Sequence, residues 1–233
     1  MDGSVKRSTD LALQNPVLGY GVVAKRYIST QGCCVEAVFM KRDVEVKVVY
    51  FGKGGAANTR KTLEAARDRA KQLGIKDIVV ASTHGGTALE AAKAFKDSRV
   101  NLVAVTISQA FGPEGWAMTP NERRKLEAEG IRVLTCSHAL GDGVAASLAE
   151  KHGGRSMEQI VCDTLYRFSQ GMKVCVEIVL MAADAGLVSV DQEVISIAGT
   201  SEGADTAIVL KPAYPRKFHE LEIREVLAKP RFP

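Results

Sequence analysis

Long apolar runs are missing from this chain of 233 residues. None approaches the roughly 18 residues of a membrane span. The start, MDGSVKRSTDLALQNPVLGYG, has two early aspartates and no continuous apolar core, so it does not read as a signal peptide. Cysteine is sparse: Cys33, Cys34, Cys136, Cys162 and Cys175 form neither a CxxC pair nor a zinc spacing. They read as reduced thiols behaving as small hydrophobes, and the protein is expected in the cytoplasm. Histidine and carboxylate do not cluster into a metal site, and His152 and His219 read as surface residues. Charge of one sign is missing too. The net charge is +4, with bases interleaved among acids as in KDIVV and RRKLEAE. No basic stripe is left for a nucleic acid. A small bound anion is compatible with that balance. The order of a Walker A loop, the pattern GxGxxG and internal repeats are absent as well.

What remains is ordinary for a globular domain, with 46% apolar and 25% charged residues. The first forty-odd residues mix Ser, Thr, Gln, Gly and Pro with short apolar pieces and keep no sustained period. Residues 1–39 therefore read as an N-terminal extension, flexible or loosely packed, with Met40 as an alternative native start. Residues 40–233 read as a single domain. From Val46 onward strands and helices alternate. The predicted strand around Val46–Tyr50 leads through FGKGGAANT to the helix TRKTLEAARDRAKQL, with Asn58 or Thr59 as N-cap and Gly74 as its stop. The strand DIVVA, the turn STHGG and the helix TALEAAKAF come next. NLVAVTI then precedes a long loop holding the single tryptophan, Trp116. Helix NERRKLEAEG and strand IRVLTCS follow. Three helical segments come after: DGVAASLAEKHG, SMEQIVCDTLYRFSQ (stopped by Gly171) and MKVCVEIVLMAADAG, which is apolar nearly all round and so buried. EVISIAG and TAIVLKPA are strands joined by TSEGAD, and HELEIREVLAKP is expected at a sheet edge. Helical crossovers of ten to fifteen residues imply βαβ units, hence an α/β fold: a three-layer sandwich with a mostly parallel sheet.

In such a sheet ligands gather outside the carboxyl ends of the strands. ASTHGGTA sits at one. The helix that follows leaves four amides unpaired and carries about half a positive charge at its start. Gly85 and Gly86 admit a ligand to the backbone, Ser82, Thr83 and Thr87 add hydroxyls, and Gly86 or Thr87 is expected at the cap. This is the chemistry of a phosphate or carboxylate cradle, or else a tight turn capped by its own hydroxyls. FGKGG reads as a second, weaker anion-facing loop.

DIVVASTHGGTALEAAKAFKDSRVNLVAVT resembles the C-terminal α/β domain of pyruvate kinase, where a Ser/Thr-Gly turn opening a helix builds an effector phosphate pocket. From Lys47 to the C-terminus the chain is similar to a stand-alone archaeal and bacterial family, pyruvate kinase α/β-domain-like. The motifs that carry the likeness are YFGKGGAANT, VVASTHGGTA, SHALGDG, GMKVCVEIVLMAADAG and AGTSEGADTA. The resemblance implies a pyruvate kinase C-terminal domain-like fold. It also implies no pyruvate kinase activity, because the catalytic barrel with its magnesium, phosphoenolpyruvate and ADP sites is missing. It further implies binding of flavin mononucleotide (FMN) by its phosphate on the Ser82–Thr87 turn. Relatives often place other residues at His84, so no role is transferred to it.

Other candidates sit at neighbouring strand ends. Thr106 and Ser108 end one strand; Cys136, Ser137 and His138 end the next. Cys136 and His138 share a face on a strand, which allows a nucleophile–base pair, but the sequence supplies no orienting carboxylate. The alternative is polar pocket lining or a core-edge thiol. Lys173, Glu177, Met181 and Asp184 fall on one face of the buried helix. Either Lys173 and Glu177 pair internally with Asp184 in solvent, or the stripe faces the ligand with Lys173 near a phosphate or flavin carbonyl. In AGTSEGADTA, Gly203, Asp205 and Thr206 make either a β-turn or a clamp on a ribityl chain or ring edge. Three functions stay open: a flavin-binding protein, a redox enzyme among its forms; a non-catalytic sensor of a phosphorylated metabolite; and a structural subunit with a vestigial pocket. A homo-oligomer is compatible with each.

Overall fold

The computed structural model describes residues 11–14, 21–29, 32–40 and 43–232, the first three segments through their backbone alone. Residues 47–71 and 75–233 form one compact unit, and residues 1–46 with 72–74 another.

In the smaller unit, β1 (Leu11–Gln14), β2 (Gly21–Ser29) and β3 (Gly32–Met40) form a three-stranded antiparallel sheet in that order. The register of the hairpin runs from Gly21 opposite Met40 to Ser29 opposite Gly32. Strands were not expected here, because GVVAKRYIS and GCCVEAVFM do not alternate polar with apolar. Cross-strand pairing between two β-branched and aromatic runs defines them instead. Residues 1–10, 15–20, 30 and 31 of the expected extension lie outside the described residues.

The larger unit is built on a seven-stranded sheet of order β4-β10-β9-β8-β5-β6-β7. Its strands are β4 (Val49–Phe51), β5 (Asp77–Ala81), β6 (Asn101–Val105), β7 (Arg132–Leu134), β8 (Val194–Ala198), β9 (Thr206–Lys211) and β10 (Glu222–Pro230). Four neighbouring pairs are parallel and two, β8 with β9 and β9 with β10, antiparallel. The strand expected at Val46–Tyr50 is therefore shorter and shifted. β10 is also not at the edge: β4 covers it, with Ala228 opposite Val49.

Among the described residues six α-helices connect the strands: α1 (Thr59–Leu73), α2 (Gly86–Phe95), α3 (Pro120–Ala128), α4 (Val144–His152), α5 (Met157–Tyr166) and α6 (Gln170–Asp184). Gly74 (φ 70°) stops α1 in the left-handed conformation that only glycine takes without cost. Capping boxes start α3 (Thr119 with Glu122) and α5 (Ser156 with Gln159). Gly171, expected to end α5, lies inside α6. α5 closes at Arg167, and Ser169 caps α6 by accepting the Met172 amide at 2.9 Å. Gly171 is needed there for a different reason, because a Cβ on it would collide with the Thr206 side chain.

Twelve of the fifteen residues of α6 are buried. Its apolar surface packs on Val79, Val103, Val105, Val194 and Ile208 of the sheet. Ile78, Val80, Leu102 and Ala104 point to the opposite face and are buried as well, as are Ala88, Ala91 and Phe95 of α2. Burial on both faces is why β5 and β6 read as continuous apolar runs. Helix, sheet and helix make the three layers. The chain steps outward from β5 to β6 and β7, then returns through α6 to β8 on the other side of β5. That reversal leaves a crevice outside the carboxyl ends of β5 and β8, where an α/β sheet holds ligands.

Candidate functional site

A cavity of about 570 Å³ occupies that crevice. One wall is the turn after β5 with the start of α2. Opposite it lies α6, and the loop joining β8 to β9 closes a third side. Of the expected residues, Ser82, Thr83, His84, Gly86, Thr87, Thr106, His138, Lys173, Glu177 and Gly203 line it. Strand ends far apart in sequence meet here because β5, β6 and β8 run parallel.

The turn is built as an amide donor. Gly85, not Gly86 or Thr87, is the N-cap of α2; its φ of 91° is left-handed, and it has no side chain with which to cap the helix. Ser82 Oγ accepts the Ala88 amide at 3.2 Å. Among the described hydrogen bonds the amides of Gly86 and Thr87 have no acceptor. A Cβ on Gly86 would meet nothing within 4 Å, whereas one on Gly85 would press on Leu126 at 3.1 Å. Gly86 thus stands in open space at the cavity wall, while Gly85 serves the bend and the packing below it. His84 leans outward, its Nδ1 3.3 Å from Glu122 Oε1. The hydrogen bond from the Thr119 amide, ahead of that from its hydroxyl, holds the Glu122 carboxyl below its ordinary range.

Across the cavity, Lys173 Nζ stands 2.6 Å from Glu177 Oε2, and the two side chains are 8% and 2% exposed. Glu177 Oε1 accepts the Leu140 amide at 2.9 Å, which ties α6 to the loop after β7. Lys173 and Glu177 pair internally, and both also line the cavity. Asp184 is exposed and Met181 buried.

Four expected residues serve the frame instead, and Gly85 belongs with them. Asp205 is fully buried: Oδ2 accepts the amides of Gly55 (2.7 Å) and Thr200 (3.0 Å), and Oδ1 the Thr206 hydroxyl (2.8 Å). The anion faced by the FGKGG loop is therefore the protein's own carboxylate. Thr206 Oγ1 also contacts Ser169 Oγ at 3.1 Å, beneath the start of α6. Ser108 caps a short 3₁₀ turn through the Ala110 amide, and Ser137 Oγ donates to the Asp142 carbonyl. Gly203 (φ 68°) does face the cavity and packs so closely on Thr59 and Ala56 that a side chain there would collide.

The nucleophile pair does not form as expected. β7 ends at Leu134, so Cys136 and His138 lie in a loop rather than on one strand face. Cys136 packs against the α6 core, and burial, with Asp184 second, pushes its thiol up. His138, by contrast, has a carboxylate beside it that the sequence did not disclose: Asp142 Oδ2 lies 3.1 Å from its Nδ1. The i, i+4 spacing was the available signal.

Residues 60–210 match the family described as pyruvate kinase, alpha/beta domain. The chain belongs to this family. The match begins at α1 and ends in β9, so it spans the turn, α6 and the β8–β9 loop that enclose the cavity. It does not reach β10, β4 or the antiparallel sheet.

Among the residues lining this pyruvate kinase α/β-domain cavity that were not anticipated are Glu90, Gln170, Ser201 and Glu202. Glu90 follows Gly86 by one helical turn, a spacing that could have found it. Ser201 is the one non-glycine residue with positive φ (61°) among the described residues. Also among the described residues, no cluster of His, Cys, Asp and Glu could hold a metal, and no helix is long and apolar enough to cross a membrane.

Proposed function

We propose that this pyruvate kinase α/β-domain protein binds a phosphorylated small ligand, FMN, by its phosphate on the Ser82–Thr87 turn, in the cytoplasm and without pyruvate kinase activity. The observation that carries the reading is the pair of amides at Gly86 and Thr87, without a protein acceptor, at a helix N-terminus inside a cavity of about 570 Å³. Helix amides and the macrodipole favour a phosphate there. The volume lies in the range of roughly 300–1,000 Å³ common for small-molecule sites.

The chemistry of the walls suits the rest of such a ligand. Thr83 and Thr87 offer hydroxyls, whereas Thr106 Oγ1 is already engaged by the Ile107 carbonyl and Thr135 Oγ1. Lys173 offers ammonium protons beyond the one given to Glu177, suited to a phosphate oxygen or a ring carbonyl. Glu90 and Glu202 would accept from the hydroxyls of a ribityl chain. Bound flavin would supply hydride and electron transfer. The residues of this chain would anchor it, orient it and limit water around it.

A visible absorption spectrum of freshly purified protein, with mass spectrometry of what denaturation releases, tests the reading. A flavin band and released FMN are expected. A colourless protein that takes up no added FMN but binds another phosphorylated metabolite would instead be the sensor.

A further inference from the structure

His138 and Asp142 belong to the loop 135–143, which the fold holds firmly at the cavity wall. The amides of Gly141 and Asp142 both donate to the His138 carbonyl, at 3.4 and 3.3 Å. Ser137 Oγ donates to the Asp142 carbonyl at 3.2 Å, and Glu177 fixes the Leu140 amide from α6. Asp142 is 15% exposed, and its Oδ2 is buried with no hydrogen-bond partner in good line. His138 Nδ1 stands 3.1 Å from it. No hydrogen bond joins the two in this geometry; acid–base pairs are often misaligned before a ligand arrives and tighten when it does. Nε2 has no protein partner among the described hydrogen bonds, and His138 lines the cavity.

We propose that His138 is an acid–base group of this cavity and Asp142 its positioning residue. A carboxylate only accepts, so its neighbour Nδ1 must carry the proton. That leaves the Nε2 lone pair toward the ligand. Nε2 takes a proton from an acidic O–H, N–H or C–H of the bound molecule. The resulting imidazolium is balanced by Asp142, and the ligand anion that remains faces the Lys173 ammonium. The reverse transfer restores both. No electrons move, so no oxidant or reductant is required. This assignment rests on the reading of the cavity as a ligand site and adds a chemistry that mere retention of a ligand does not need.

The test uses the full chain with ¹⁵N-labelled histidine. Long-range ¹H–¹⁵N spectra should show neutral His138 protonated on Nδ1. Asp142→Asn should move that proton to Nε2, because the amide can donate to Nδ1 and so reverse the tautomer. Wild-type His138 protonated on Nε2 would overturn the dyad. Acylation by diethyl pyrocarbonate, followed site by site, gives the second readout. His138 should react about tenfold more slowly in Asp142→Asn, since its outward nitrogen no longer has a lone pair. Saturating FMN should slow His138 in the wild type and leave His219, 79% exposed, unchanged. Equal rates at His138 with FMN demonstrably bound would overturn its contact with the ligand. If FMN fails to bind at all, the proposed ligand is wrong, and the tautomer measurement still decides the dyad.

Discussion

Lys173 Nζ and Glu177 Oε2 stand 2.6 Å apart on successive turns of α6, and the second oxygen of Glu177 holds the Leu140 amide. One carboxylate therefore secures both the cation of the cavity and the loop that carries His138. Removing the cation leaves Glu177 charged and buried with a single partner. Lys173→Met is expected to cost about 3 kcal/mol of stability in a urea titration. Glu177→Gln keeps an acceptor for Leu140 and should cost less. A loss below about 1 kcal/mol for Lys173→Met would mean that water already solvates the pair.

The two glycines of the turn should separate binding from folding. Gly86 has open space where its Cβ would be. Gly86→Val should leave the thermal midpoint near the wild-type value and weaken FMN binding at least about tenfold, equivalent to roughly 1.4 kcal/mol. Gly85→Ala places a Cβ at φ 91° and against Leu126. It should cost about 1–3 kcal/mol of stability. Flavin fluorescence quenching and thermal melts of both variants check the contrast, and unchanged FMN affinity in Gly86→Val would remove the phosphate from this turn.

Asp205 receives three hydrogen bonds in full burial. Asp205→Ala leaves the Gly55 and Thr200 amides unpaired and should destabilise by about 3 kcal/mol. Asp205→Asn, which retains one acceptor oxygen, should lose less. Limited proteolysis should then cut first between Gly199 and Gly203, because Asp205 is what pins that loop to the FGKGG turn.

Cys175 gives a pH dependence. Burial, the dominant cause, pushes its thiol from an ordinary 9.0 up to about 12. The folded chain therefore holds the proton more tightly than the unfolded chain between those values. Stability is fully present below about pH 9 and falls as the pH rises toward 12, by about 1.4 kcal/mol per unit. Urea titrations at pH 8, 9 and 10 should show the decline beginning near 9, and Cys175→Ala should flatten much of it. Cys136, also raised, supplies part of the remainder.

Much of the fold was legible because its signals are local. DIVVA and NLVAV are short β-branched runs bounded by turns, and β5 and β6 fall on them. Gly74 marks the end of α1 because only glycine takes φ 70° there at no cost. The near-continuous apolar stretch of α6 announced its burial on both sides. Where two local signals competed, reading failed: Gly171 looked like a stop, yet Ser169 is a cap and Gly171 a point of close approach to Thr206.

The candidate site divides the same way. The Ser82–Thr87 turn could be read from its glycines and its place between strand and helix, since both are properties of a few consecutive residues. That Lys173, Glu177 and His138 face the same cavity follows from the return of the chain through α6, which no local pattern encodes. Asp205 looked like a ligand contact because an aspartate in a Gly-rich loop carries the same signature whether it meets a ligand or a distant backbone amide. Its actual partner, Gly55, is 150 positions away.

The sequence by itself determined the alternation of strands and helices, the parallel core and the Gly-bearing turn between β5 and α2, because periodicity, capping and glycine placement act over one or two turns of chain. Only the tertiary structure decided that β4 rather than β10 lies at the edge. It alone also decided that one aspartate frames the pocket while another stands 3.1 Å from a histidine of its wall. Those outcomes depend on which surfaces far apart in the chain bury each other, and burial is a property of the assembled layers.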